Sequence, residues 1–281
     1  MQTLLNTPHE IIQQNILGAA AKAKTRILNI LVLGMMAGSF IAMGAQSSSL
    51  AVHNISNIGL ARTLAGCIFP VGLMMIVFVG GELFTGDCMM SMAWMQRKIH
   101  FADMLRTLFL VYVSNFVGAA LIAFLVAHSG QYDYSSGALG AYTIKVAYGK
   151  VHLSFANALV SGILCNILVC VAVLMAAAAK DIAGKVLAIF FPILAFVVSG
   201  FEHCVANMYY IPAGIFASKN AAYAAKALEL YNIDSTQLSS LNWGSFAISN
   251  LIPVTIGNII GGALLVGGAC FYLHGKSLHE S

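Results

Sequence analysis

Two stretches of this chain place ionisable side chains inside runs that are otherwise hydrocarbon. Phe191 to Pro212 reads FPILAFVVSGFEHCVANMYYIP, with Gly200, Glu202 and His203 near its centre. Phe69 to Asp87 reads FPVGLMMIVFVGGELFTGD, and it too opens on Phe-Pro and then breaks its apolar run with glycine and glutamate. A carboxylate beside an imidazole offers acid–base chemistry, and Cys204 next to them raises metal ligation. A metal-dependent membrane enzyme is disfavoured because three adjacent helical residues cannot converge on one ion, and no histidine pair at i, i+4 is present. At bilayer depth such groups cost ~3 kcal/mol or more unless they face a partner or a polar cavity, so they mark a solute path.

The elements that must carry them are membrane spans. With 281 residues, 59% hydrophobic and 9% charged, at a mean hydropathy of +0.85, the composition excludes a soluble domain. Its net charge of +4 is dispersed, with no basic run beyond Lys22, Lys24 and Arg26, which excludes a nucleic-acid partner and reads as a membrane-edge anchor. The six cysteines (67, 88, 165, 170, 204 and 270) lie in apolar segments without a C-x-x-C pair and read as buried thiols. The first twenty residues lack a continuous apolar core, so no cleaved signal peptide is expected.

Uncharged runs at 27–45, 63–81, 107–127, 153–179, 186–201 and 241–273 approach the ~20 residues a bilayer crossing needs. The second and fifth are interrupted at glycine and glutamate and continue to Met95 and Ala217. Ahead of them, Thr7, Pro8 and Glu10 supply an N-cap, an N1 proline and an N3 glutamate for an amphipathic helix over 7–24, expected along the cytoplasmic face. With the N-terminus inside, Lys22, Lys24, Arg26, Arg97, Lys98, Arg106, Lys180, Lys185 and Lys276 face Arg62, Lys145, Lys150, Lys219 and Lys226, which satisfies the positive-inside rule and puts both termini in the cytoplasm. Loops at 128–152 and 218–240 are expected to be partly structured external caps, and the whole chain, 1–281, reads as one transmembrane domain.

The halves repeat. Asn29 to Gly34 (NILVLG) parallels Asn157 to Gly162 (NALVSG); Phe69-Pro70 followed by Gly81-Glu82 parallels Phe191-Pro192 followed by Gly200 and Glu202; Asn115 to Leu121 (NFVGAAL) parallels Asn258 to Leu264 (NIIGGAL). Three collinear matches make a duplication, with 27–127 as the first repeat and 153–273 as the second. Because each repeat holds an odd number of spans, the second must insert upside down. In such inverted repeats the interrupted spans meet near the midplane, where broken helices free backbone groups to serve a solute.

These motifs carry a resemblance to the formate/nitrite transporter family, whose members pass formate, nitrite, hydrosulfide or lactate. The matching runs are LFTGD (Leu83 to Asp87), KVHLSF (Lys150 to Phe155), GILCN (Gly162 to Asn166), GFEHCVANMYYIP (Gly200 to Pro212) and NLIPVTIGNIIGG (Asn250 to Gly262). LFTGD looks most similar to the hydrosulfide channel branch. The resemblance implies an all-α, aquaporin-like protomer with six transmembrane segments in a 3+3 inverted repeat. It also implies a homopentamer in the cell inner membrane, one pore per protomer, and no cofactor. Motif for motif, it puts the central pore histidine on His203 and the threonine of the interrupting loop on Thr85. The outer apolar constriction falls on Phe69 and Phe196 with Leu73 nearby, and the inner one on Leu83 and Phe84. The vestibule lysine and the polar residue below it fall on Lys150 and Asn166. The Gly86-Asp87 pair departs from the formate-channel pattern.

An anion crosses apolar rings only if compensated or neutralised. Lys150 would concentrate anions at the mouth, and His203 could donate a proton or a hydrogen bond to the solute. Thr85 could hydrogen-bond the imidazole. Glu202, about 100° from His203 around a helix, is expected to brace the broken segment, as is Glu82. Gly118, Gly261 and Gly262 are expected to permit close helix packing. The reading is a channel for small monovalent anions of weak acids, hydrosulfide first with formate and nitrite as further permeants. The alternative within the family is a formate or nitrite transporter proper. An aquaporin-type neutral pore lacks its paired Asn-Pro-Ala signatures here.

Overall fold

In the computed structural model, residues 5–275 are described and are almost entirely helical. Chain order runs α1 Pro8–Lys22, α2 Ile27–Val52, α3 Ile58–Ile68, α4 Val71–Val79, α5 Phe84–Asp87, α6 Ser91–Met95, α7 Phe101–Ala127, α8 Ala138–Val151, α9 Phe155–Ala178, α10 Ile182–Ser199, α11 Cys204–Ser218, α12 Ala221–Tyr231 and α13 Ser235–Ser239. The last span, 243–274, is assembled from α14 Trp243–Ser245, α15 Ile252–Ile259 and α16 Gly267–His274, joined by π-helical turns at Phe246–Leu251 and Ile260–Val266. The first π turn ends two residues before Pro253, whose missing N–H leaves the regular ladder incomplete. Lys276, counted above among the basic residues, lies outside the described residues.

Six helical stretches are long and apolar enough to span a bilayer: Ile27–Val52, Ile58–Val79, Phe101–Ala127, Phe155–Ala178, Ile182–Ser199 and Trp243–His274. They present large apolar side chains outward, among them Leu28, Phe109, Leu121 and Leu264, as lipid-facing helices do. Spans two and five stop short and continue, after an extended break, as the helices α5–α6 and α11.

The two halves are held by equivalent contacts. A Cβ on Gly118 would lie 2.0 Å from Met35 O, and one on Gly261 would lie 2.3 Å from Ile163 O, so α7 crosses α2 as the last span crosses α9, backbone against backbone. Gly262 serves a different contact, since its Cβ would meet Asn166 Nδ2 at 2.3 Å.

α1 forms where its capping residues put it. Thr7 accepts from Glu10 N while the Glu10 carboxylate accepts from Thr7 N, and Ile11, Ile12, Ile16 and Ala19 bury the apolar face. That face packs with Met89, Met90 and Met92 beyond the break in span two.

Two expectations are corrected. Span one runs seven residues past Ala45 because Gln46 and Ser47 to Ser49 continue the helix, their polarity hiding it from a hydropathy reading. Loop 128–152 is also no simple cap: α8 buries Leu139, Gly140, Ala141, Ile144 and Ala147 against α11 and the neighbouring helices. Its small residues let α11 approach until a Cβ on Gly214 would touch Ala147 Cβ at 2.2 Å. The interspersed Tyr142, Lys145, Tyr148 and Lys150 dilute its hydropathy.

Candidate functional site

Breaking a helix inside a bilayer leaves N–H and C=O groups that water cannot reach. Here one asparagine in each half satisfies them. Asn115 Nδ2 donates to Gly34 O and Glu82 O, both at 2.8 Å, and its Oδ1 accepts from Phe84 N at 2.9 Å. Asn258 Nδ2 donates to Gly162 O at 2.8 Å and Glu202 O at 3.0 Å, and its Oδ1 accepts from Cys204 N at 2.9 Å. The backbone agrees: Leu83 (φ −109°, ψ 118°) and His203 (φ −113°, ψ 117°) are the equivalent N-caps of α5 and α11. Glu82 therefore corresponds to Glu202 and Leu83 to His203.

Upstream of His203, α10 ends in a left-handed turn. Gly200 (φ +72°) donates to Val197 O and Phe201 N to Phe196 O, the paired bonds of a Schellman cap. Residues 201–203 lie outside the helices and His203 is extended (φ −113°, ψ 117°), so the helical angle expected between Glu202 and His203 does not apply. The two side chains part to different partners, Glu202 to Lys150, Asn207 and Asn250, and His203 to Thr85.

His203 is buried, with Nε2 2.9 Å from Thr85 Oγ1 and Nδ1 accepting from Ala206 N at 3.0 Å. Because Nδ1 already accepts, the imidazole is the neutral tautomer with its proton on Nε2, donating to the threonine oxygen. Phe196 stacks near the imidazole (centroids 6.1 Å) and meets Phe69 edge-on at 5.4 Å. A cavity of about 280 Å³ opens above these rings, lined among others by Ser48, Arg62, Phe69, Lys150, Phe196 and His203. Leu73 is buried behind this layer, outside the cavity lining.

Glu202 turns away from the imidazole to a polar cluster. Its Oε1 accepts from Lys150 Nζ at 2.8 Å, and its Oε2 accepts from Asn207 Nδ2 at 2.6 Å and Asn250 Nδ2 at 3.3 Å. Lys150 also lies over the Tyr210 ring, 5.3 Å from its centroid. Lys150 thus lines the cavity with its charge matched by a carboxylate.

The equivalent glutamate is met from another element. Lys22, at the end of α1, pairs with both Glu82 and Asp87. The sequence reads it as a membrane-edge anchor; the structure gives it two carboxylate partners, Glu82 in the break of span two and Asp87 at the end of α5. Leu83 and Phe84 are buried at that break, and Phe84 meets Tyr112 edge-on at 4.8 Å. Asn166, expected below the vestibule lysine, donates to Thr85 O at 3.1 Å and Asn258 O at 2.6 Å. It is fully buried, and it holds the Thr85 loop to the last span instead of lining the vestibule.

Sequence reasoning used Asn115 and Asn258 as repeat markers without seeing their bonds, and missed Asn207 and Asn250. An asparagine inside a hydrocarbon run was the available signal, since an amide there requires partners. Among the described residues, no group of three or more His, Cys, Asp or Glu side chains could hold a metal ion.

The six spans, the two broken helices meeting through Thr85 and His203, and the cavity above them define a membrane transport protein of channel type. The chain belongs to the formate/nitrite transporter family, whose sequence profile matches residues 9–272. It is 38% identical over 272 residues to the uncharacterized transporter YrhG of Bacillus subtilis, covering 96% of this chain and 94% of that one. With the formate channel FocA of Haemophilus influenzae it shares 36% identity over 251 residues, covering 89% and 88% of the two chains. A solved pentameric formate channel with formate bound superposes with a TM-score of 0.78 at 31% identity, covering 89% of this chain and 98% of that one. Family and neighbours are channels and transporters, not enzymes.

Proposed function

We propose that this protein is a channel for small monovalent anions of weak acids, with formate as its first permeant. The observation that carries this reading is the Thr85 Oγ1 to His203 Nε2 contact of 2.9 Å beneath the Phe69 and Phe196 rings. An anion leaving the vestibule sheds water at those rings, where an uncompensated charge is costly. The donors beside the rings are the Nε2–H of His203, which lines the same cavity, and the hydroxyl of Thr85; both can turn toward a solute at the expense of their mutual bond. His203 acts here as a hydrogen-bond donor. Giving up the Nε2 proton outright would leave an imidazolate, and charging Nδ1 first would break the cap bond from Ala206.

Formate leads because FocA of Haemophilus influenzae and the superposed channel are described as formate channels. Hydrosulfide is the second reading, carried by the Leu83 to Asp87 run, with nitrite as a further permeant. We further read the protein as a homopentamer of the cell inner membrane, with α1 and both termini cytoplasmic and the Lys150 vestibule outside. The pentameric neighbour and the distribution of basic residues support this.

Flux into proteoliposomes is the test, with formate, nitrite, hydrosulfide and chloride compared across pH. Formate should exceed chloride, His203→Gln should keep the wild-type pH profile because the amide still donates, and His203→Leu should lose flux. No flux above empty liposomes for any anion would overturn the channel reading. A flattened pH profile in His203→Gln would overturn the donor role in favour of titration at His203. Light scattering in detergent should give five protomers per particle, and a monomer would refute the pentamer.

A further inference from the structure

The vestibule holds a second cation whose charge no carboxylate offsets. Lys150 is paired at 2.8 Å with Glu202, so the two together present a short dipole to an arriving anion. Arg62, on α3, lines the same cavity and also the adjoining one that contains Lys145. Among the described residues no carboxylate lies within ion-pair distance of it, and its bond to Val198 O is long, at 3.4 Å.

Its position follows from Gly200. A Cβ there would sit 3.4 Å from Arg62 Nη1, 3.5 Å from Nη2 and 3.6 Å from Cζ, so the absent side chain leaves the guanidinium directly over the turn that leads into Glu202 and His203. That turn is also the C-terminal end of α10. Phe196, Val197 and Gly200 of this end line the cavity, so the negative pole of α10 faces the route an anion must take. The C-terminal carbonyls of a helix together carry up to about half an elementary negative charge; here the cap bonds meet Phe196 O and Val197 O, and Arg62 itself meets Val198 O. A full positive charge beside them reverses the local sign, to about +0.5 or more; without it the mouth carries up to about −0.5.

We propose that Arg62 is the charge-selecting residue of the anion mouth: it cancels the negative end of α10 and supplies the net positive potential that Lys150, neutralised by Glu202, does not. This rests on the anion-channel reading above. Arg62 acts on the concentration of small monovalent anions at the vestibule and not on the passage past His203.

The experiment is initial formate flux against formate concentration in proteoliposomes, for wild type, Arg62→Lys and Arg62→Gln. At about 10 mM ionic strength, where screening extends ~30 Å, Arg62→Gln should raise the half-saturating concentration threefold or more with little change in maximal rate. Arg62→Lys should stay near wild type. At about 1 M, where the screening length is ~3 Å, all three should converge. If Arg62→Gln does not assemble, Arg62→Cys treated with cationic or anionic thiosulfonate reagents replaces it. The cationic adduct should restore flux and the anionic adduct suppress it, with wild type treated in parallel to control for the exposed Cys67. An unchanged half-saturation in Arg62→Gln, a loss that persists at high salt, or adducts of either sign behaving alike would overturn the proposal. Absence of anion flux in wild type itself would overturn the function reading instead.

Discussion

The Lys150–Glu202 pair makes a strong test of the vestibule because its two charges must fail together. Nζ and Oε1 are 2.8 Å apart and both side chains are largely withdrawn from solvent. Two unit charges at that spacing attract by on the order of 6 kcal/mol at an effective dielectric of ~20, and the loss of their hydration opposes this. Removing either partner leaves a buried charge uncompensated at ~3–5 kcal/mol, whereas replacing both costs far less. Lys150→Met and Glu202→Gln should therefore each lower the temperature at which the purified assembly survives heating, read by size-exclusion chromatography in detergent. The double variant should recover most of the loss, since a glutamine oxygen still accepts from Asn207 and Asn250. Formate flux should follow the same order. Lys150→Met leaves a bare carboxylate under the anion mouth, and its defect should exceed that of the double variant. Additive losses, with the double variant the worst of the three, would refute the reasoning.

Asn115→Ala and Asn258→Ala each strand two backbone groups of a break (Glu82 O and Phe84 N; Glu202 O and Cys204 N), and at ~1–3 kcal/mol per buried group both should severely reduce folded protein in the membrane, to similar extents. Wild-type levels of one variant beside loss of the other, measured by fluorescence-detected chromatography, would break the claimed equivalence of the halves. Gly118→Ala and Gly261→Ala put a methyl group 2.0 Å and 2.3 Å from backbone oxygens, so either should force the helix pair apart and abolish assembly; normal oligomer yield would contradict the close crossing. At α1, the backbone N–H and then the hydroxyl of Thr7 hold the Glu10 carboxyl below its ordinary 4.5. A depressed carboxyl stabilises the folded state above its unfolded value and loses that contribution as pH falls through its folded one. Amide exchange at Thr7 should accordingly speed up relative to α2 as pH drops below 4.5. No such change would argue against the cap.

What the sequence disclosed and what it withheld divide along a physical line. Six spans, the two interruptions and the start of α1 were legible because hydrocarbon length, glycine–glutamate breaks and the Thr7-Pro8-Glu10 cap act locally. α8 was not, because a helix buried among other helices need not be apolar throughout, and its lysines and tyrosines masked its small-residue face. The polar residues were visible one by one but their partners were not, since a bond such as Asn166 to Thr85 O joins residues 81 apart in the chain. Asn166 illustrates the consequence: its amide type suits a vestibule, yet the freed carbonyls of a broken helix claim it first. The same competition explains Lys150, whose charge goes to Glu202, while Arg62, with no carboxylate at ion-pair distance, keeps its charge for the solute. In a hydrocarbon setting, then, a polar side chain near the path serves the backbone or a counter-charge before it serves a permeant. The groups held only by each other or by one long bond, the Nε2–H of His203, the hydroxyl of Thr85 and the guanidinium of Arg62, are the ones a passing anion can use.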